Sequence, residues 1–230
     1  MDFDNRNNMR ILVCIPAYNE SQNIRDVIMK VKKYADEIIV YDDGSTDNTF
    51  EIANNSGAHV IIRDCNNRGY GAAIKALFLA AKERDADIMV TLDSDGQHDP
   101  DQIPAIIEPI LNKRSDIAIG SRFLTRPDRQ RVPKYRYAGI KTITKATQYA
   151  SYSEITDAQS GFRAYGKRAL SSINISERGM SVSTEILLKA KERNLTIQEV
   201  PVTIKYENAN PKTFKHNPIR HGAVFFNSCS

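Results

Sequence analysis

Asp93 and Asp95, two carboxylates separated by one residue in Asp93-Ser94-Asp95-Gly96-Gln97-His98, are the sharpest chemical signal in the sequence. With the amide oxygen of Gln97 they form a set of hard oxygen donors suited to Mg2+ or Mn2+, leaving positions open for phosphate oxygens. A cation held there neutralises charge building on a departing diphosphate. As a bare pattern D-x-D is common. The alternative is an Asp-rich turn capping the helix after Pro100, for which Asp99 and Asp101 already suffice. His98 reads as a hydrogen-bonding loop residue, with metal ligation the second option.

Two more polar motifs follow apolar runs: Pro16-Ala17-Tyr18-Asn19-Glu20 and Asp42-Asp43-Gly44-Ser45-Thr46-Asp47. Asp43 reads either as part of a turn with an N-cap or as an acceptor for a ribose or base, as acidic residues at a second strand end serve in dinucleotide folds. Asn67-Arg68-Gly69-Tyr70-Gly71 lacks the Gly-Lys-Ser/Thr of a P-loop, and no G-x-G-x-x-G follows the first apolar run. The usual signatures of ATP hydrolysis and NAD chemistry are therefore missing.

The elements that must position these motifs are legible from periodicity. Ile11 to Ile15, Glu37 to Tyr41, His59 to Ile62, Asp87 to Leu92 and Asp116 to Ile119 are short Ile- and Val-rich runs, the pattern of strands buried on both faces of a parallel sheet. Helices are expected at Asn23 to Tyr34, with Ile24, Val27, Ile28 and Val31 on one face, and at Ala72 to Arg84; Asp47 and Asp101 are candidate caps for two more. Alternating β and α elements predict a doubly wound α/β sheet whose ligands sit beyond the C-terminal strand ends, where the three acidic motifs converge. After Gly120 the rhythm changes to a Pro- and Arg-rich loop, a helix from about Tyr135 to Tyr152, a strand around Phe162 to Tyr165, a helix Ser183 to Arg193 and a strand Thr196 to Val200.

At 230 residues, 41% hydrophobic and 26% charged, one α/β domain accounts for the chain. The expected division is a disordered arm 1–9, a catalytic domain 10–205 and a flexible basic tail 206–230. Cys14, Cys65 and Cys229 are odd in number and far apart, which suggests neither a disulfide framework nor a zinc site and fits a reducing compartment. The polar, Asn-rich start does not read as a secretory signal, and no apolar run approaches the length of a membrane span. From Arg122 to Lys145 there are eight basic residues, among them Arg126, Arg129, Arg131 and Arg136, against the single acid Asp128. Such a stripe attracts phosphates on nucleic acid, anionic lipid or a small substrate, or is simply a solvated face.

Taken together, Ile15-Pro16-Ala17-Tyr18-Asn19-Glu20, Asp42 to Asp47, Asp93 to His98, Gly120-Ser121-Arg122 and Ser160-Gly161-Phe162-Arg163-Ala164 resemble a family 2 glycosyltransferase, over roughly residues 10 to 222. The resemblance is to the dolichol-phosphate mannosyltransferase and glucosyltransferase group. It implies a GT-A (Rossmann-like) fold with a mostly parallel central sheet flanked by helices, and hexosyltransferase activity with a nucleotide-diphosphate sugar. It also implies that Pro16, Tyr18, Glu20 and Asp43 hold the nucleoside, that Asp93, Ser94 and Asp95 hold ribose and diphosphate, and that Asp95 and Gln97 ligate Mg2+ or Mn2+ with help from Asp93. Arg122 is implied to meet the donor, Arg136 and Arg131 the acceptor phosphate, and Lys215, assisted by Lys205, the donor diphosphate. Relatives carry an arginine shortly before that lysine, where Glu207, Asn208 and Ala209 stand here. Many also continue into transmembrane helices, so the chain is either peripheral or without its anchor.

The reaction so implied inverts the anomeric carbon in one in-line displacement. A polyprenyl (dolichyl) phosphate acceptor is already anionic and needs no base, whereas a hydroxyl acceptor needs a carboxylate, for which Asp157 matches the family's position. The basic stripe favours the phosphate and also suits peripheral contact with the cytoplasmic face of a membrane, the helix bearing Tyr137, Ile140 and Ile143 being interfacial or else core. A nucleotidyltransferase shares the sheet but brings a Gly-rich loop near the N-terminus, and residues 11–20 contain no glycine. A nucleic-acid-binding module has no recognised motif here, and the acidic crevice repels phosphates without metal.

Overall fold

The computed structural model describes residues 8–124, 140–141, 144–145, 155–177 and 179–204. Its strands are β1 (Ile11–Ala17), β2 (Glu37–Asp42), β3 (Val60–Arg63), β4 (Ile88–Thr91), β5 (Ile117–Ser121), β6 (Arg163–Gly166) and β7 (Ile197–Pro201). Its α-helices are α1 (Ile24–Val31), α2 (Thr49–Asn55), α3 (Tyr70–Glu83), α4 (Ile103–Leu111), α5 (Lys167–Ser172) and α6 (Val182–Glu192). The strands form one sheet in the order β3-β2-β1-β4-β6-β5-β7, parallel except for β6, which runs antiparallel to both β4 and β5.

Side chains alternate between two apolar layers, as the two-residue period of a strand requires. Leu12, Cys14, Ile39, Tyr41 and Met89 face α3, α5 and α6, with Phe78 of α3 set edge-on against Tyr165 at 4.8 Å. Ile11, Val13, Ile15, Ile38, Val40, Ile88 and Val90 face α1 and α4. Helices on both faces explain why the strands read as continuous apolar runs. β3 departs from that expectation: Val60, Ile61 and Ile62 are only half-buried because β3 is the sheet edge.

Two local expectations are corrected. β1 does not stop at Ile15 but continues through Pro16 to Ala17 beside β2. Pairing with β4 ends at Cys14, so the proline's missing N–H leaves no gap on that side. Asp101 is not the cap before α4: Asp99 accepts the Asp101 N–H at the preceding 3-10 turn, while the Asp101 carboxylate meets Tyr34 and Lys33. Asp47 does accept the Thr49 N–H at the start of α2.

The chain turns to opposite sides of β1 to form β2 and β4, so a crevice opens beyond the C-terminal ends of β1 and β4. Because β6 runs the other way, the residues before it, 157–162, reach the same end of the sheet. The register Thr91↔Arg163 and Ile119↔Arg163 fixes this.

Gly44 locks one wall of the crevice. It sits at φ +72°, and a Cβ there would lie 2.6 Å from the backbone carbon of Asn66. Gly44→Ala is therefore expected to destabilise the fold by about 1–3 kcal/mol, measured as a lowered denaturant midpoint with unchanged slope.

Candidate functional site

β1, β2 and β4 bring their polar ends together. Ser94, buried one residue beyond Asp93, donates its hydroxyl to the Pro16 carbonyl at 2.8 Å and ties the β4 loop to β1. Glu20 is buried; its N–H donates to Thr49 Oγ1 at 2.8 Å and its Oε2 accepts from Asn23 at 2.9 Å. Burial pushes the Glu20 carboxyl up, with Asp95 and Asp47 adding to the shift and the Asn23 amide opposing it. Tyr18 stands exposed at the rim, 43% accessible, as a face available for stacking.

Asp43 accepts the backbone N–H groups of Arg68 and Gly69 at 2.7 and 2.9 Å. Burial raises its pKa while those two donors oppose the rise. The Asn67-Arg68-Gly69 segment, assigned no role by the sequence, is thus the partner that orients Asp43.

Asp93 lies at the centre. Burial, then the charge of Asp95, pushes its carboxyl up to about 7, against the pull of Arg122. Tyr70 at the start of α3 lies 3.5 Å from Oδ1. Gly161 presses on the other side: a Cβ there would lie 2.6 Å from Oδ1. Asp95 accepts the Gln97 N–H at 2.9 Å, which curls the loop back on itself. Among the described residues no third His, Cys, Asp or Glu completes a cage around the pair. Two mutually repelling carboxylates without such a cage suit a divalent ion that keeps positions for phosphate oxygens.

The cationic side of the site is built by Arg122, just past β5. Its Nε and Nη2 donate to Asp157 Oδ2 and Oδ1 at 2.5 and 2.6 Å, and its backbone N–H adds a third bond at 3.2 Å. Asp157 is fully buried, and its own N–H donates to Glu199 Oε1 at 2.9 Å; Glu199 Oε2 accepts both the N–H and the hydroxyl of Thr156. Sequence reasoning missed Glu199. Its signal was an acidic residue inside the short apolar strand β7. The residues expected to bind the acceptor, Arg131 and Arg136, and the tail lysines Lys205 and Lys215 lie outside the described residues.

A model of glycosyl transferase family 2 matches residues 12–173, a span that contains the ends of β1, β2, β4 and β5 and the loop before β6. The chain belongs to glycosyl transferase family 2. It is a glycosyltransferase, and its sheet is that of the GT-A fold. A UDP-N-acetylglucosamine–dolichyl-phosphate N-acetylglucosaminyltransferase of Methanococcus voltae is 34% identical, the match covering 85% of this chain and 86% of that one. A dolichol-phosphate mannosyltransferase of Pyrococcus furiosus is 33% identical over 85% of this chain and 56% of its own length. Glucosyl-3-phosphoglycerate synthase from Mycobacterium tuberculosis, solved with Mn2+, UDP and glucosyl-3-phosphoglycerate, has a TM-score of 0.73 at 21% identity, covering 97% of this chain and 81% of that chain. That likeness is one of fold. Among the described residues no helix of this family 2 glycosyltransferase is long and apolar enough to cross a membrane.

His98 closes the floor of the site. It is buried against Phe162, pairs through its backbone with Ile204, and has its Nε2 3.9 Å from Asp93 Oδ2. Its Nδ1 meets no partner among the described residues. Burial, then the charge of Arg122, lowers its pKa to about 4, against the pull of Asp157. The folded pKa lies below the unfolded one, so the native state resists taking up a proton that the unfolded chain accepts. This contribution to stability is present above about pH 6.5 and is lost as pH falls towards 4. In metal-free buffer, His98→Gln is expected to flatten the difference in unfolding free energy over that window by up to about 3 kcal/mol, read from denaturant melts of both proteins at each pH.

Proposed function

We propose that this glycosyltransferase moves a hexose, with inversion, from a nucleotide-diphosphate sugar of the GDP-mannose or UDP-glucose class to the phosphate of a polyprenyl (dolichyl) acceptor. The observation that carries the choice of acceptor is the state of Asp157. Both of its carboxylate oxygens accept from Arg122, and the group is fully buried. A general base needs an oxygen free at the attacking hydroxyl. A phosphate acceptor is already anionic and needs no base. The dolichyl-phosphate acceptors named for the Methanococcus voltae and Pyrococcus furiosus relatives support the same reading.

Each group then has one task. Pro16, Tyr18, Glu20 and Asp43 line the nucleoside pocket, with Asp43 held in place by the Arg68 and Gly69 N–H groups. Asp93, Asp95 and Gln97 are the residues to hold Mg2+ or Mn2+, and Ser94 keeps their loop against β1. A divalent cation bound there supplies Lewis-acid neutralisation of the charge gathering on the leaving diphosphate. Arg122, fixed in orientation by Asp157, presents positive charge to the same anionic centre; Lys205 and Lys215 are assigned to the donor and Arg131 and Arg136 to the acceptor phosphate. The bond from the anomeric carbon to the donor phosphate oxygen breaks as the bond to the acceptor phosphate oxygen forms, and the nucleoside diphosphate leaves. The phosphate acceptor brings peripheral contact with the cytoplasmic face of a membrane into the same reading.

Mn2+ or Mg2+ with saturating GDP or UDP is expected to raise the melting temperature by about 5–10 °C, and Asp95→Ala to abolish the shift. No shift with any nucleoside diphosphate counts against the donor site. In a panel of GDP-mannose, UDP-glucose and UDP-N-acetylglucosamine, one donor is expected to be consumed with a polyprenyl phosphate and not with the dephosphorylated polyprenol. Consumption with a neutral sugar acceptor alone favours a hydroxyl mechanism with Asp157 as base.

A further inference from the structure

Arg163, the first residue of β6, is among the described residues the largest side chain buried almost completely, 1% accessible. Its guanidinium is directed at carbonyl oxygens rather than at a carboxylate. Nε donates to Ser160 at 2.8 Å, Nη2 to Ala158 at 2.7 Å and Nη1 to Ser183 at the start of α6 at 3.3 Å. Burying a cation in this way is expensive, and an apolar residue of similar volume often serves stability as well or better. Stability alone therefore accounts poorly for an arginine here.

The held segment touches both halves of the centre. At its N-terminal end Asp157 grips Arg122, and Ala158 N–H donates to Thr144 Oγ1 at 3.3 Å. At its C-terminal end Gly161 rests on the Asp93 carboxylate, and its carbonyl accepts from Thr91 Oγ1 at 2.8 Å. We propose that Arg163 is a positioning residue: by gripping the carbonyls of Ala158, Ser160 and Ser183 it sets the distance between the Asp93 side and the Arg122 side of the site. Its planar fork satisfies carbonyls in different directions at once, which a lysine cannot reproduce. The inference rests on the reading of Asp93 and Asp95 as metal-binding.

The test is the affinity of the purified full chain for Mn2+ alone, followed by the electron paramagnetic resonance signal of free Mn2+ well below all melting points. Arg163→Lys keeps the charge in a smaller side chain, and a void of about 10 Å3 lined by Tyr70, Thr91, Ser160 and Arg163 has room for one water beside it. Arg163→Lys and Arg163→Met are expected to bind Mn2+ about 10-fold or more weakly. Leu77→Ala, a core change away from the crevice, lowers the melting temperature and leaves the affinity as it was. An affinity within twofold of wild type in the folded Arg163 variants overturns the proposal. Should neither variant melt cooperatively, Gly161→Ala decides in their place: it pushes the loop against Asp93, and unchanged Mn2+ binding shows that the contact transmits nothing. A wild-type chain that binds no Mn2+, like the Asp95→Ala control, sinks the metal reading itself and the proposal with it.

Discussion

Like charges set close together at the end of a buried strand cost energy, and this site gathers three of them. Asp93 and Asp95 flank Ser94 beyond β4, and Glu20 lies near enough to raise the Asp93 pKa further. Burial enlarges every such repulsion, because the protein interior screens charge less than water does. A fold that maintains this cluster needs positive charge close by. Arg122 supplies part of it from the end of β5, two strands along the sheet from β4, and a divalent cation is suited to supply the rest.

Arg122 is itself restrained. An arginine in solution samples many rotamers, and holding one to a carboxylate costs side-chain entropy. Here the cost is met by a chain of acceptors: Asp157 holds the guanidinium, Glu199 holds the backbone of Thr156 and Asp157, and Ser121 shares a 2.6 Å hydrogen bond with Thr156. β5, β7 and the loop before β6 thus cooperate to aim one cation. The orientation of the guanidinium is thus set by the fold itself.

The parts of this architecture set by local patterning were readable in the chain. Ile- and Val-rich runs marked the inner strands because these are covered on both faces, and Ile24, Val27, Ile28 and Val31 marked the buried stripe of α1. Boundaries failed where tertiary context overrode a local rule, as at Pro16, whose place past the end of β4 pairing makes a proline harmless inside β1. The acidic strand ends were legible for the same reason as the sheet, since a parallel sheet fixes where strands end. Partnerships were not. That Asp157 would be occupied by Arg122, that Glu199 would reach across from β7, and that Asp43 would be held by the Arg68 and Gly69 N–H groups all depend on segments 25 to 43 residues apart in sequence. No periodicity carries that information.

The reversed direction of β6 has a consequence for how such enzymes diversify. The chain leaves the sheet at Ser121 and returns at Arg163, and both points lie at the same rim. Strand order and register do not depend on the length of the segment between them, but its last part is tied down, since Ile155 and Ala158 belong to one apolar layer and Phe162 to the other. The rim can therefore change at one place while the strand ends that carry Asp43, Asp93 and Asp95 keep their positions.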